Sequence, residues 1–445
     1  MSNQFDIIVI GSGVAGMSLA EGLKASGKSV AVVEDDLWGG TCPNRGCDPK
    51  KVLLAAVDAK EAVMQLNERG FNEAPTINWP DLMKFKMTFT QSVPQSSLNA
   101  LESAGITAIK GRAAFIDAGH IQVGERQYGA KQFIIATGQY PAIPDIEGRQ
   151  YFKTSNEFLS MAELPSKIAF VGGGYIAFEL ASIANACGAE VHIIHHNDRP
   201  LKQFDGEWVN LLIAQLKSSG VHIHLNTDVT SVEQRDQRYL LALKDGSEMS
   251  VDAVFSTSGR LPNLMGLQLE NAGVKYDRSG VLVNDRLTTS CPTIFACGDC
   301  LAKTMPRLTP VSSFEADYLV RLLSEKISGP IVYPAVPTVI FTGYRLAQVG
   351  VDTSTAAANG DRYSIKTLDM TGWFNYRRRN ESVAKAKIIT EKTSGILVGA
   401  TVISQEADEL INFFTLIINQ RLTADAMNGM IMAFPSVASD IASLY

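Results

Sequence analysis

Short apolar runs, each closed by a glycine turn, alternate along this chain with stretches whose apolar residues fall at helical spacing. The first run, Phe5-Asp6-Ile7-Ile8-Val9-Ile10, is too short for a buried helix and reads as a strand. The turn Gly11-Ser12-Gly13-Val14-Ala15-Gly16 follows, then a helical pattern to about Ser26, then the apolar run Val30-Ala31-Val32-Val33 ending on Glu34. Strand, glycine turn, helix and strand make a βαβ unit, and a GxGxxG turn in that place points to a dinucleotide. Gly11, Gly13 and Gly16 permit a tight turn and close approach of a pyrophosphate to the helix N-terminus. Glu34 stands where a carboxylate accepts the hydroxyls of a ribose.

The unit recurs about 160 residues later. Lys167 to Val171 reads as a strand, and Gly172, Gly174 and Ala177 occupy the three turn positions. A helix runs on through Glu179 to about Cys187, and a strand follows from Glu190 to Ile194. Two such units mean two bound nucleotides. Two linker strands are expected, and a third strand then returns to the first domain. Phe133 to Gly138 carries Thr137 and Gly138, Val254 to Asn263 carries Gly259, and Thr293 to Asp299 carries Gly298 and Asp299. From about Pro334 the pattern turns strand-rich, with Gly395 to Ala400 and then a helix from Glu406 to Gln420.

The 445 residues predict about three domains, and 46% hydrophobic with 19% charged residues is an ordinary globular balance. A formal charge of −6 argues against nucleic acid and anionic membranes as partners. No apolar run approaches the roughly 18 residues that span a bilayer. The first ten residues lack a basic stretch and read as a strand, not a signal peptide. Six cysteines in a chain of this length suit a reducing cytoplasm, where a close pair is catalytic more often than structural.

Such a pair lies in Gly39-Gly40-Thr41-Cys42-Pro43-Asn44-Arg45-Gly46-Cys47-Asp48-Pro49-Lys50-Lys51. Two thiols beside a flavin store two electrons as a dithiol and release them on closing a disulfide. No further Cys or His follows at zinc-ligand spacing, and no metal site is expected. The segment resembles the redox-active stretch of the flavoprotein disulfide reductases, the family of glutathione reductase, dihydrolipoamide dehydrogenase and mercuric reductase. The resemblance extends over nearly the whole chain. It implies an α/β fold with two Rossmann-like domains, for FAD and NAD(P), and a C-terminal α+β dimerisation domain. The expected bounds are 1–150 with 281–333 for FAD, 151–280 for NAD(P)H and 334–445 for dimerisation.

By the same resemblance, Cys42 is the interchange thiol that attacks substrate and Cys47 the flavin-side thiolate. Gly40 and Thr41 belong to the flavin site, as do Asp299, toward the ribityl chain, and Thr309, at the start of a helix facing the pyrimidine ring. Lys50 and Glu179 match an ion pair beside the flavin, and Tyr175 matches the residue that covers the nicotinamide pocket. Pro43, Arg45 and Asp48 depart from the family. A cation such as Arg45 favours a thiolate and Asp48 opposes it.

Three further departures matter. The second unit ends on His195-His196-Asn197-Asp198-Arg199, with Lys202 beyond, so the carboxylate of an NAD site is missing and basic groups suit the 2′-phosphate of NADPH. At the C-terminus, the family's catalytic histidine and glutamate are replaced by Phe434 and Ser439, and the last histidine of the chain is His224. Asp440, one residue past the usual acid, is the remaining candidate for acid–base work. The two arginines that grip glutathione in glutathione reductases correspond to Glu21 and Asp317. Cys297 and Cys300 read as packing beside the flavin, and His222 and His224 as satisfied or surface side chains.

The expected protein is therefore a cytoplasmic homodimeric FAD enzyme. It passes hydride from NADPH to the Cys42–Cys47 disulfide and on to a small-molecule or protein disulfide other than glutathione disulfide. The alternatives are an NADH-linked dihydrolipoamide dehydrogenase, a metal-ion or quinone reductase, and a flavin-bearing redox sensor of low turnover.

Overall fold

The computed structural model describes residues 3–445. The chain forms two compact units. One comprises Met1–Lys51, Lys84–Ala142 and Gly259–Val332, and the other Val52–Met83, Ile143–Ser258 and Tyr333–Tyr445.

In the first unit the strand Gln4–Ile10 runs parallel to Val30–Glu34 on one side and to Arg126–Ile135 on the other. Thr107–Lys110 extends the sheet beyond Val30–Glu34, and Ile294–Ala296 pairs in parallel with Arg126–Ile135. Ile7, Ile8, Val9, Val32, Phe133 and Ile134 have no exposed surface. Strands covered on both faces need continuous apolar runs, which is why these segments lack the alternation of a half-exposed sheet. The strand expected at Phe133 is the end of Arg126–Ile135, beside the first strand of the sheet. Its three successive large apolar residues, Phe133, Ile134 and Ile135, are fully buried there.

The second unit repeats the plan with a parallel sheet in the order His222–His224, Glu190–Ile194, Lys167–Val171, Ala253–Ser256. A three-stranded antiparallel meander, Val229–Arg235, Arg238–Leu243 and Glu248–Val251, accompanies it. The chain after Tyr333 builds a five-stranded antiparallel sheet, in the order Thr338–Ile340, Arg345–Gly350, Leu397–Ser404, Lys385–Glu391 and Tyr363–Asp369. The helix Ala407–Gln420 packs against this sheet with Leu410, Ile411, Phe414 and Ile417 buried, an i, i+3, i+4 stripe that made it legible in the sequence. No helix among the described residues is long and apolar enough to cross a membrane.

Candidate active site

The first glycine turn divides its labour by position. Gly11 adopts φ +106°, and a Cβ there would fall 2.4 Å from the carbonyl oxygen of Ala136. A Cβ on Gly16 would fall 1.9 Å from the carbonyl oxygen of Gly11, so only glycine lets the helix Val14–Ala25 start this close to the strand. Gly13 is different, for a Cβ there would meet nothing within 4 Å. The open side of Gly13 is the place where backbone N–H groups at the helix N-terminus can face a phosphate.

The cysteine segment is built onto this turn. Gly40, at φ +71°, lies so close to Gly13 that a Cβ would sit 2.4 Å from the Gly13 Cα. The Asn44 amide donates to the carbonyls of Trp38 at 2.9 Å and Gly40 at 2.8 Å and fixes the short helix Thr41–Arg45. Cys42 lies in that helix, and Cys47 opens the long helix Cys47–Gln65. A helix N-terminus stabilises a thiolate. Cys47 is lowered to about 6, chiefly by a hydrogen bond from the Cys42 thiol, with help from Thr309 and the Lys50 ammonium. Thr309 Oγ1 lies 3.4 Å from Cys47 Sγ, at the start of the helix Thr309–Leu323. Cys42 is pushed up by the same bond to Cys47 and by burial. The opposite directions of the two shifts favour the proton on Cys42 and the negative charge on Cys47.

Asp48 opposes both thiolates, as expected from its charge. Arg45 does not supply the opposing help. Its guanidinium is ion-paired with Asp36, so the cation acting on Cys47 is Lys50.

Residues from the expected flavin motifs converge on the same unit. Thr137 Oγ1 and Asp299 Oδ1 are buried without a hydrogen-bond partner, and burial pushes the Asp299 carboxyl up. Gly138 is at φ +65° with open space where a Cβ would stand. Orphaned polar atoms beside an open glycine are what a polar cofactor chain would satisfy, so these residues fit FAD. Gly298, at φ +79°, donates its N–H to Glu315 Oε2 at 2.6 Å, and Glu315 is paired with Lys303 at 2.7 Å, both side chains almost fully buried. Sequence reasoning missed this pair. Its signal was Glu315 on a helical stripe otherwise made of Val311, Ser312, Ala316 and Leu319. Glu34 ends its strand as expected, and its carboxylate accepts from the N–H and hydroxyl of Ser12 and from the N–H of Asp36.

The second turn follows the same rules in its own unit. A Cβ on Gly172, at φ +124°, would lie 2.3 Å from the carbonyl oxygen of Thr257, whereas Gly174 has nothing nearer than 3.9 Å. Ala177 is fully buried where the helix Tyr175–Ala186 meets the sheet, and Tyr175 is 44% exposed at its start. Glu179 is 1% exposed and accepts the Phe341 N–H at 2.9 Å. Lys50 belongs to the first unit and Glu179 to the second. Gly259, at φ +120°, falls in the first unit and accepts the Ala142 N–H at 3.0 Å.

The basic cluster separates into two kinds of group. His195 is 7% exposed and tucked against Gly173, where a Cβ would lie 2.6 Å from its ring, and burial lowers its pKa. Neither of its ring nitrogens has a partner. His196, Arg199 and Lys202 are exposed. Near the C-terminus Phe434 is 82% exposed, and Asp440 accepts from the buried Asn375 amide at 3.0 Å. Asn375 also donates to the Ser436 carbonyl at 2.9 Å, and no sequence pattern had marked it. Glu21 and Asp317 are both exposed in the first unit.

The chain is similar to known proteins in sequence and fold. Residues 5–316 match the pyridine nucleotide-disulphide oxidoreductase family, and residues 336–444 match the dimerisation domain of the same family. The chain is similar to a glutathione reductase of Burkholderia cepacia, at 31% identity over 99% of this chain and 98% of that one. It is 30% identical to a dihydrolipoyl dehydrogenase of Chlamydia muridarum, over 98% of this chain and 95% of the other. Among solved structures it is similar to the Cu(II) complex of the HOCl-induced flavoprotein disulfide reductase RclA of Escherichia coli. The likeness has a TM-score of 0.89 at 25% identity and covers 98% of each chain.

Proposed function

Because the chain belongs to the pyridine nucleotide-disulphide oxidoreductases and is an FAD-dependent enzyme of that family, we propose that it is an NADPH:disulfide oxidoreductase whose acceptor is not glutathione disulfide. The observation that carries this reading is the Cys42–Cys47 pair on a segment packed against the first glycine turn, with Thr309 Oγ1 3.4 Å from Cys47 Sγ. Gly11, Gly13, Gly16, Glu34, Gly40, Thr41, Thr137, Gly138, Gly298, Asp299 and Thr309 would hold FAD. Gly172, Gly174, Ala177 and Gly259 would hold the nicotinamide nucleotide, under Tyr175, with His195, His196, Arg199 and Lys202 toward its 2′-phosphate. By the family resemblance, Lys50 and Glu179 would take the roles of the ion pair that serves the flavin ring. The domain bounds are those read from the sequence, and the working form is a cytoplasmic homodimer, in keeping with the dimerisation domain.

When bound, FAD would supply two-electron transfer between the nicotinamide and the Cys42–Cys47 disulfide. The remaining chemistry belongs to the two thiols. Cys47, as the resident thiolate, takes the proton of Cys42. The Cys42 thiolate attacks one sulfur of the acceptor disulfide and expels the other, which collects the proton from Cys47. Cys47 then attacks Cys42 Sγ, releases the second acceptor thiolate and closes the disulfide. Two electrons leave the dithiol, and no imidazole is needed at Phe434. Asp440, held by Asn375, is the remaining candidate for assisting the departing thiol.

A second reading, a metal-ion reductase, rests on the absence of the histidine and on the Cu(II) complex named for RclA. Steady-state assays separate the two. NADPH should exceed NADH in kcat/KM by about tenfold or more, since a charge-assisted contact to the 2′-phosphate is worth roughly 1.5–3 kcal/mol. Turnover with glutathione disulfide should fall below that with dithiol-forming or protein disulfides. Equal use of NADH would sink the nucleotide assignment. Efficient reduction of Cu(II), with every disulfide inert, would replace the acceptor class.

A further inference from the structure

The second unit places a group of side chains on one sheet face that the redox chemistry does not use. Glu190 and His192 alternate along one strand, and His222 and His224 alternate along its parallel neighbour. The register sets His222 opposite His192, and residues two apart share a face of the sheet. His192 is buried between the other two imidazoles. Its ring lies 4.7 Å from His222 and 5.3 Å from His224, with both pairs tilted by only 19°.

The hydrogen bonds have a direction. His192 Nε2 is 2.9 Å from Glu190 Oε1, and His192 Nδ1 is 3.0 Å from His224 Nε2. One ligand atom each from Glu190, His192 and His222 come within 4.8 Å of one another. Two imidazoles and a carboxylate are a recurrent donor set for zinc, with open positions left to water. A cleft of about 510 Å³ lined by Lys167, Glu190, His192 and His224 gives an ion a path of entry. The sequence placed His222 and His224 on one face but could not supply Glu190 and His192, because the pairing register of two strands about 30 residues apart is not written in local spacing.

We propose that Glu190, His192 and His222 form a binding site for a divalent ion of zinc-like softness, with His224 orienting His192. The ion takes the place of the proton between His192 Nε2 and the Glu190 carboxylate. His192 then carries its proton on Nδ1 and donates it to His224 Nε2, which fixes the ring as an outer partner fixes a metal-bound histidine. Lys167, 2.8 Å from Glu190, is the cation that holds the carboxylate in the metal-free protein and must move aside.

The test uses the full-length, FAD-loaded, tag-free protein with Cys42 and Cys47 changed to Ser, so that no active-site thiolate binds the probe. Zn2+ is followed by calorimetry and Co2+ by visible difference spectra. About one equivalent of either ion should bind per subunit, with the ligand-field bands of low-coordinate Co2+. His222→Gln, on the exposed edge, and His192→Ala should each weaken binding by at least about tenfold. His224→Phe should weaken it by about 10–100-fold, the usual effect of removing an outer partner. Lys167→Gln should tighten it by about threefold or more, because a competing positive charge is gone. Retained flavin and an unchanged unfolding temperature would certify each fold. Absence of binding, or equal affinity in His222→Gln and Lys167→Gln, would overturn the site.

Discussion

The two glycine turns use one backbone plan and finish it differently. In each, the first glycine is forced by a carbonyl behind it, Ala136 for Gly11 and Thr257 for Gly172, while Gly13 and Gly174 face open space. The residue ending the second strand then differs. Glu34 is a carboxylate tied to Ser12, whereas His195 is a buried imidazole without a partner. The first turn also carries the cysteine segment against Gly13, and the second carries His195 against Gly173. On the reading proposed above, backbone geometry sets where a phosphate can lie, and the strand-end side chain would set which nucleotide is preferred.

The largest expected effect removes what only the first turn carries. Cys47→Ser should abolish disulfide turnover and reduce anaerobic electron uptake from about four to about two per subunit, with loss of the long-wavelength absorbance of a thiolate beside the flavin. The pH profile sharpens this point. Cys47 is lowered to about 6, so its thiolate is present above that pH and disappears as pH falls through it. Wild-type disulfide turnover should therefore decline in acid with a midpoint near that value, while a profile flat down to clearly lower pH would remove Cys47 from the proton path.

The next effect sets one turn directly against the other. Both Gly13 and Gly174 are helix N-caps with extended backbone, and neither has a neighbour that a Cβ would strike. Valine at either position should cost about 1 kcal/mol of stability as a poor N-cap and leave the fold intact. Gly13→Val should nonetheless yield protein without flavin. Gly174→Val should retain flavin and raise the nucleotide KM by about tenfold or more. Flavin content and steady-state KM check both, and flavin retained at full occupancy in Gly13→Val would dissolve the assignment of the first turn.

What could be read in the sequence follows the range of the forces involved. The strands Lys167–Val171 and Glu190–Ile194 have the bounds expected from their apolar runs, because burial on both faces leaves little freedom in composition. The turns were legible because glycine is dictated by neighbours within the same unit. The cysteine pair was legible by spacing and the family resemblance marked Cys47 as the thiolate, but the approach of Thr309, distant in sequence, is set by the fold. Arg45 misled for the same reason, because its partner Asp36 is fixed by the fold. Glu190 with His192, and Asn375 with Asp440, meet through strand register and loop packing, which leave no local period to read.

The smallest effect exchanges the strand ends in chemistry. His195→Glu places at the second turn the carboxylate that Glu34 supplies at the first. An acid there accepts a ribose 2′-hydroxyl and repels a 2′-phosphate, so the ratio of kcat/KM for NADPH to that for NADH should fall by about tenfold. Arg199 and Lys202 remain in this variant, which is why a full reversal is not expected. Turnover by a nucleotide-independent reductant such as dithionite should be unchanged, which separates a specificity shift from damage to the thiol site. If the ratio stays constant while both KM values rise together, His195 supports the Gly173 turn by packing alone, and the strand end does not choose the nucleotide.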